Sequence, residues 1–181
     1  MTSARTTVAS LDLFLNHGIK AAPHEEGLLG RITFSPPCID VFRQPEYHEA
    51  RDRFTLAHEL AHYLLGHEKF VNQEWCDRAE VSLNMLQRSM ETDIDRLEWQ
   101  ANYFASCLLM PRDSFLVRYA IVWSKLDLRK IAGRPAIFID HQPCNIATLR
   151  TVLAALVKTF CVSRQAAEVR LRELNLLVDR R

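Results

Sequence analysis

The sequence has no run of about 20 uncharged apolar residues, the length a bilayer-spanning helix needs, because Arg, Lys, Asp or Glu recurs in every apolar stretch. No membrane association is expected. Its five cysteines, Cys38, Cys76, Cys107, Cys144 and Cys161, contain no CxxC pair able to grip a metal or exchange disulfides. An odd, scattered set fits a reducing compartment, hence the cytoplasm, with each thiol a small apolar filler and with Cys107 and Cys161 inside apolar helical runs. Val8 to Leu15 is the only stretch resembling a leader, but Asp12 interrupts it and Gly18 follows, so it reads as an amphipathic helix over 7–16 rather than a secretory signal. Internal repeats and low-complexity segments are absent. A dominant charge is lacking as well: the net charge is +1, though residues 1–111 carry 10 Lys/Arg against 16 Asp/Glu and residues 112–181 carry 13 against 6. The basic half spreads its charge over several segments, which suits solvated helix faces better than a nucleic-acid footprint.

What is present is enough for a core. At 181 residues with 48% hydrophobic positions, the chain is expected to form a single domain, 1–181, with 146–181 a C-terminal helical pair. Two β-leaning runs, 31–34 and 39–42, flank a Ser-Pro-Pro turn. A helical pattern runs from about Glu46 to Leu65 with Leu56, Leu60 and Leu64 in register, closed by Gly66. A second helix is read over 79–90 within an otherwise surface connection. Ile94, Leu97, Ala101, Phe104 and Leu108 then form a core-facing stripe that Pro111 ends. Further helices are expected at 114–122, 147–160 and 164–174, the last capped by Ser163, with a late strand at 136–139.

The chemistry sits on the first strong helix. His58-Glu59-Leu60-Ala61-His62 is HExxH, and histidines four apart on a helix lie about 40° apart around its axis, so both imidazoles reach one point. Zn²⁺ takes such nitrogens and, in catalytic sites, three protein ligands plus a water. Glu59 is rotated about 100° from His58, which aims it at that water as general base. The helix around the motif is largely apolar, and burying two histidines and a glutamate in it is costly without partners. The third ligand is expected to be Glu98, on the next strong helix, sharing a face with Asn102 and Ala105. Glu91, Asp93 and Asp95 are already accounted for by helix capping and the N-terminal dipole, whereas Glu98 falls inside the helix beside Leu97. His67, five residues after His62, points away from the pair on a helical projection and reads as a helix-end residue. Tyr63, Tyr103 and Arg53 are candidates to stabilise an oxyanion, each with core packing as the plainer explanation.

Arg53-Phe-Thr-Leu-Ala-His-Glu-Leu-Ala-His-Tyr-Leu-Leu65, followed by Glu98-Trp-Gln-Ala-Asn-Tyr-Phe-Ala105 and Leu108-Leu-Met-Pro111, resembles the ImmA/IrrE family of metallo-endopeptidases over residues 7–111, and more loosely beyond. The departures are Ala61, where the family usually has glycine, and a long connection over 69–93. The resemblance implies an α+β, zincin-like fold: a small antiparallel or mixed sheet packed on the HExxH helix and several further helices. It implies His58, His62 and Glu98 as zinc ligands, Glu59 as base, and a helix-turn-helix transcriptional repressor as the protein substrate. By analogy with other zincins, Asn102 accepts the ring N–H of His58 or His62. The run 160–174 resembles the second half of a helix-turn-helix with Arg164, Arg170 and Arg172 on its surface, and equally the closing helices of this family; DNA contact is not expected. The competing reading is a zinc-containing, non-catalytic regulatory or antitoxin-like module that binds a repressor or DNA through the basic C-terminal half. A glutamate base beside the metal favours the enzyme.

Overall fold

A computed structural model of the chain describes residues 19–22, 28–35, 37–42, 48–70, 73–77, 92–126, 137–140 and 142–180. The helices expected at 7–16 and 79–90 lie outside the described residues. The chain divides into two compact units, Met1–Ala105 and Ser106–Arg181. The fold is mixed α+β and zincin-like.

The first unit is built on a four-stranded mixed sheet in the order β1-β3-β2-β4, comprising β1 (Ile19–Ala22), β2 (Leu28–Phe34), β3 (Pro37–Phe42) and β4 (Gln73–Asp77). β1 runs parallel to β3, and β2 is antiparallel to both β3 and β4. The two inner strands match the expected runs; β1 and β4 lack the β-branched alternation that announces a strand and are ordered by pairing. Period-two alternation gives β2 two faces. Arg31 pairs with Asp40 across the strands and stacks over Phe42. The opposite face carries Ile32 and its partner Ile39, which with Leu60 form a buried cluster lined by Phe34, Val41 and Leu56. Leu60 belongs to α1 (Glu49–Leu64), which lies on this face.

From Phe54 to His62 every residue of α1 except Leu56 is buried, so the helix is a central element covered nearly all round. Gly66 ends it in the left-handed region, φ 71°, a conformation that costs a side-chain-bearing residue strain. The chain then turns into a short 3₁₀ segment, His67–Lys69. The helix α2 (Asp93–Leu109) starts on a reciprocal cap: Thr92 Oγ1 accepts from the Asp95 amide at 3.0 Å, and Asp95 Oδ2 accepts from the Thr92 amide at 2.9 Å.

The second unit contains α3 (Arg112–Lys125), α4 (Pro143–Phe160), α5 (Arg164–Glu173) and the parallel pair β5 (Ile137–Ile139) and β6 (Leu177–Asp179). Leu149, Val152, Leu153 and Leu156 form the buried stripe of α4. Cys161 does not continue that helix as its apolar setting suggested; it terminates it at φ 50°, and Ser163 caps α5 by accepting from the Ala166 amide at 3.1 Å. The two helices meet at 106°. Of the three arginines expected on the surface of this segment, Arg170 is buried and held by Glu173 at 2.9 Å and by the Cys107 sulfur, and Arg172 is paired with Glu168 and Asp179. Arg170 faces inward because it falls in register with Ala166, Ala167 and Leu171. No single helix among the described residues is long and apolar enough to cross a membrane.

Leu156→Ala is expected to lower the unfolding free energy by about 2–5 kcal/mol through the cavity it leaves. Exposed Lys158→Ala should stay within about 0.5 kcal/mol of the parent. Denaturant midpoints measure both, and equal midpoints would contradict the assigned core.

Candidate metal centre

Three side chains that can donate an electron pair to a cation meet in the first unit: His58 and His62 from α1 and Glu98 from α2. His58 and His62 are 0% exposed and Glu98 is 2% exposed, so water cannot spread whatever charge they carry. Nε2 of His58 lies 3.0 Å from Nε2 of His62. The carboxylate of Glu98 is 3.1 Å from the first and 3.4 Å from the second. Tetrahedral ligands held at about 2.0–2.1 Å from an ion stand roughly 3.3 Å from one another, and the observed separations bracket that value.

The hydrogen-bonding on the far side of each ring supports the same reading. Nδ1 of His58 lies 3.1 Å from Asn102 Oδ1 and donates to it, which leaves Nε2 bare. Of the two rings considered for Asn102, the structure gives it His58. Nδ1 of His62 lies 2.9 Å from Nδ1 of His67, and Nε2 of His67 lies 3.1 Å from Gln100 Oε1. With Gln100 accepting, His67 offers a bare Nδ1, His62 donates its Nδ1–H to it, and the Nε2 of His62 is also bare. Two bare nitrogens and a carboxylate converging in a dry site repel one another unless a cation lies among them. The residues present therefore fit a divalent metal ion.

The site favours positive charge at His58 and neutral rings beside it. Burial works against the charged form of His58, yet contact with Glu98, the charge of Glu98 and a smaller contribution from Glu59 hold its pKa above the usual value. Burial, followed by the neighbouring charges of His58 and His67, pushes His62 down to about 2. Burial also lowers His67. His62 and His67 are thus neutral imidazoles at physiological pH, the form that binds metals.

Glu59 is 0% exposed and lies flat against the sheet at Gly30. A Cβ built on Gly30 would stand 2.6 Å from Glu59 Oε1, 3.1 Å from its Cγ and 2.5 Å from the Thr55 methyl. Gly30 is therefore required by close approach. Asp95 is engaged in the helix cap and Asp93 is exposed beside Arg96, while Glu91 lies outside the described residues. Tyr63 and Tyr103 are exposed, the latter stacked on Trp99 at 5.2 Å.

His67 is not the outward helix-end residue its spacing suggested. It is 1% exposed and sits beneath His62, because α1 stops at Leu64 and the turn at Gly66 carries the chain back. The angle of a continuing helix does not apply beyond that glycine. Gln100 and Gly30 gave no signal of their own; each is recognisable only through the neighbour it touches.

A zincin-like fold that brings an HExxH helix and a carboxylate from a following helix together has the constitution of a metallopeptidase. The chain belongs to the ImmA/IrrE metallopeptidase family: residues 40–172 match the family model described as the IrrE N-terminal-like domain, peptidase M78. No curated protein matches the chain at a significant level.

Gly30→Ala is expected to destabilise the fold by about 1–3 kcal/mol, the usual result of overpacking, because β2 and α1 must part to admit a methyl group. An unchanged denaturant midpoint would show that the contact can relax freely.

Proposed function

We propose that the chain is a zinc-dependent endopeptidase that cuts a specific protein, a helix-turn-helix transcriptional repressor, at one exposed site. The observation that carries this is the convergence of His58, His62 and Glu98 at ion-binding separations with Glu59 buried on the same helix. The donor set, two imidazoles and one carboxylate without sulfur, is that of a catalytic zinc site with a position open for water. When bound, zinc supplies the polarisation of a substrate carbonyl and an acidified water.

The chain's own residues do the rest. Glu59 takes the proton of the attacking water and returns it to the leaving amine, one carboxylate serving as base and then as acid. Gly30 lets that carboxylate lie against the strand instead of standing off it. Asn102 fixes the ring of His58 through its Nδ1–H. The family match spans residues of both compact units, which supports treating 1–181 as one peptidase domain. The repressor substrate rests on the family resemblance, and a cytoplasmic location on the scattered free thiols and that substrate. The alternative, a non-catalytic regulatory module, has no use for a buried glutamate beside the ligands.

Glu59→Gln should keep stoichiometric zinc and lose at least about 100-fold in cleavage of the repressor, since general-base help is typically worth 10²–10⁴-fold. The measurement is appearance of the product pair on a gel beside metal content. Cleavage by Glu59→Gln at the parent rate would contradict the mechanism. Independently, Glu98→Ala should lose its zinc on dialysis against a weak chelator, while Asp93→Ala and Asp95→Ala retain it; zinc retained by Glu98→Ala would move the third ligand elsewhere.

A further inference from the structure

The two contacts behind His62 form a chain that ends at the surface. Gln100 is exposed; its Oε1 meets Nε2 of His67 at 3.1 Å, and Nδ1 of His67 meets Nδ1 of His62 at 2.9 Å. A neutral imidazole has one N–H and one bare nitrogen, so a chain of two imidazoles can be protonated in two directions. If the amide of Gln100 presents its oxygen, His67 donates from Nε2, His62 donates from Nδ1, and Nε2 of His62 is bare. If the amide presents its NH₂ group, every donor reverses. Nε2 of His62 then carries a hydrogen, directed at the 3.0 Å contact with His58 Nε2 and the 3.4 Å contact with Glu98.

The second arrangement removes a ligand. We propose that Gln100 and His67 are positioning residues that set the tautomer of His62, so that the orientation of one exposed amide decides whether its Nε2 is available to the metal. The inference rests on the zinc reading of the site and adds to it a control point on α2 outside the ligand set. His58 has no such relay, because its Nδ1 ends directly on Asn102, which is buried. The two histidines of one motif are thus held by different means: one by a single buried amide, the other through a relay whose far end is exposed.

The test is a zinc-affinity series at Gln100, read by chelator competition in about 0.5 M salt, where simple charge effects at an exposed position are largely screened. Gln100→Glu can only accept and should bind zinc at least as tightly as the parent. Gln100→Lys can only donate and should bind about 10- to 100-fold more weakly, the usual cost of losing an outer hydrogen-bond partner of a metal ligand. Gln100→Leu should fall between them. Thermal midpoints of the zinc-free variants should agree, which a merely structural role would not predict. Nitrogen-15 ring spectra of the zinc-loaded parent supply a readout that needs no variant: His67 should carry its hydrogen on Nε2 and His62 on Nδ1. Equal affinities across the series, or a hydrogen on Nδ1 of His67, would overturn the relay while leaving the zinc site standing. A parent protein that takes up no zinc would overturn the site itself, and the relay with it.

Discussion

Three electron-pair donors share one dry volume. Two imidazole nitrogens 3.0 Å apart, with a carboxylate 3.1 Å from one of them, make a cluster that a protein interior tolerates when positive charge lies within it. Much of the first unit can be read as a consequence. The helix α1 must be buried on nearly all sides to keep water out, and the sheet beneath it supplies Ile32 and Ile39 as the apolar floor. The helix α2 must present Glu98 and, one turn on, Asn102 to the same pair of histidines, so one helix provides both a candidate ligand and the acceptor that orients another. The cost of assembling these groups is met by the apolar packing around them and, on the proposed reading, by the ion.

Glu59, the proposed base, is constrained from a different side. Glu59 shares α1 with both histidines but is turned toward β2, where Gly30 leaves a gap that any other residue would close. On the proposed reading, metal binding and proton transfer lean on different supports: the histidines on α2 and the turn after Gly66, the glutamate on the sheet. Damage to one support need not disturb the other.

Legibility in the sequence followed the range of the interaction. The HExxH spacing and the Thr92–Asp95 region are local patterns, and a helix displays them without reference to the rest of the chain; the apolar stripe expected on α2 holds at Leu97 and Ala101, but Ile94 and Leu108 are exposed, and the buried face turns instead through Glu98, Asn102 and Ala105. Glu98 was legible because a carboxylate inside an apolar helix lacks a local reason to be there. His67 is not legible from spacing, because a helical projection does not extend past Leu64, where α1 ends three residues earlier. β1 and β4 had no pattern of their own because pairing, not side-chain alternation, orders them. Arg170 was assigned to the surface by its charge, although its register with Ala166, Ala167 and Leu171 pointed inward. The three-residue β6, ordered by its parallel partner β5, was not foreseen at all. Gly30 and Gln100 are long-range requirements, visible only once the neighbour is in place.

The central claim is that one metal ion sits between His58, His62 and Glu98, and X-ray absorption at the zinc edge of the zinc-loaded protein tests it most directly. The account predicts one zinc per chain with two imidazole nitrogens and oxygen donors, all at about 2.0–2.2 Å and with no sulfur in the shell. A sulfur ligand at about 2.3 Å, a single imidazole, or a chain that returns from metal loading without zinc would contradict it.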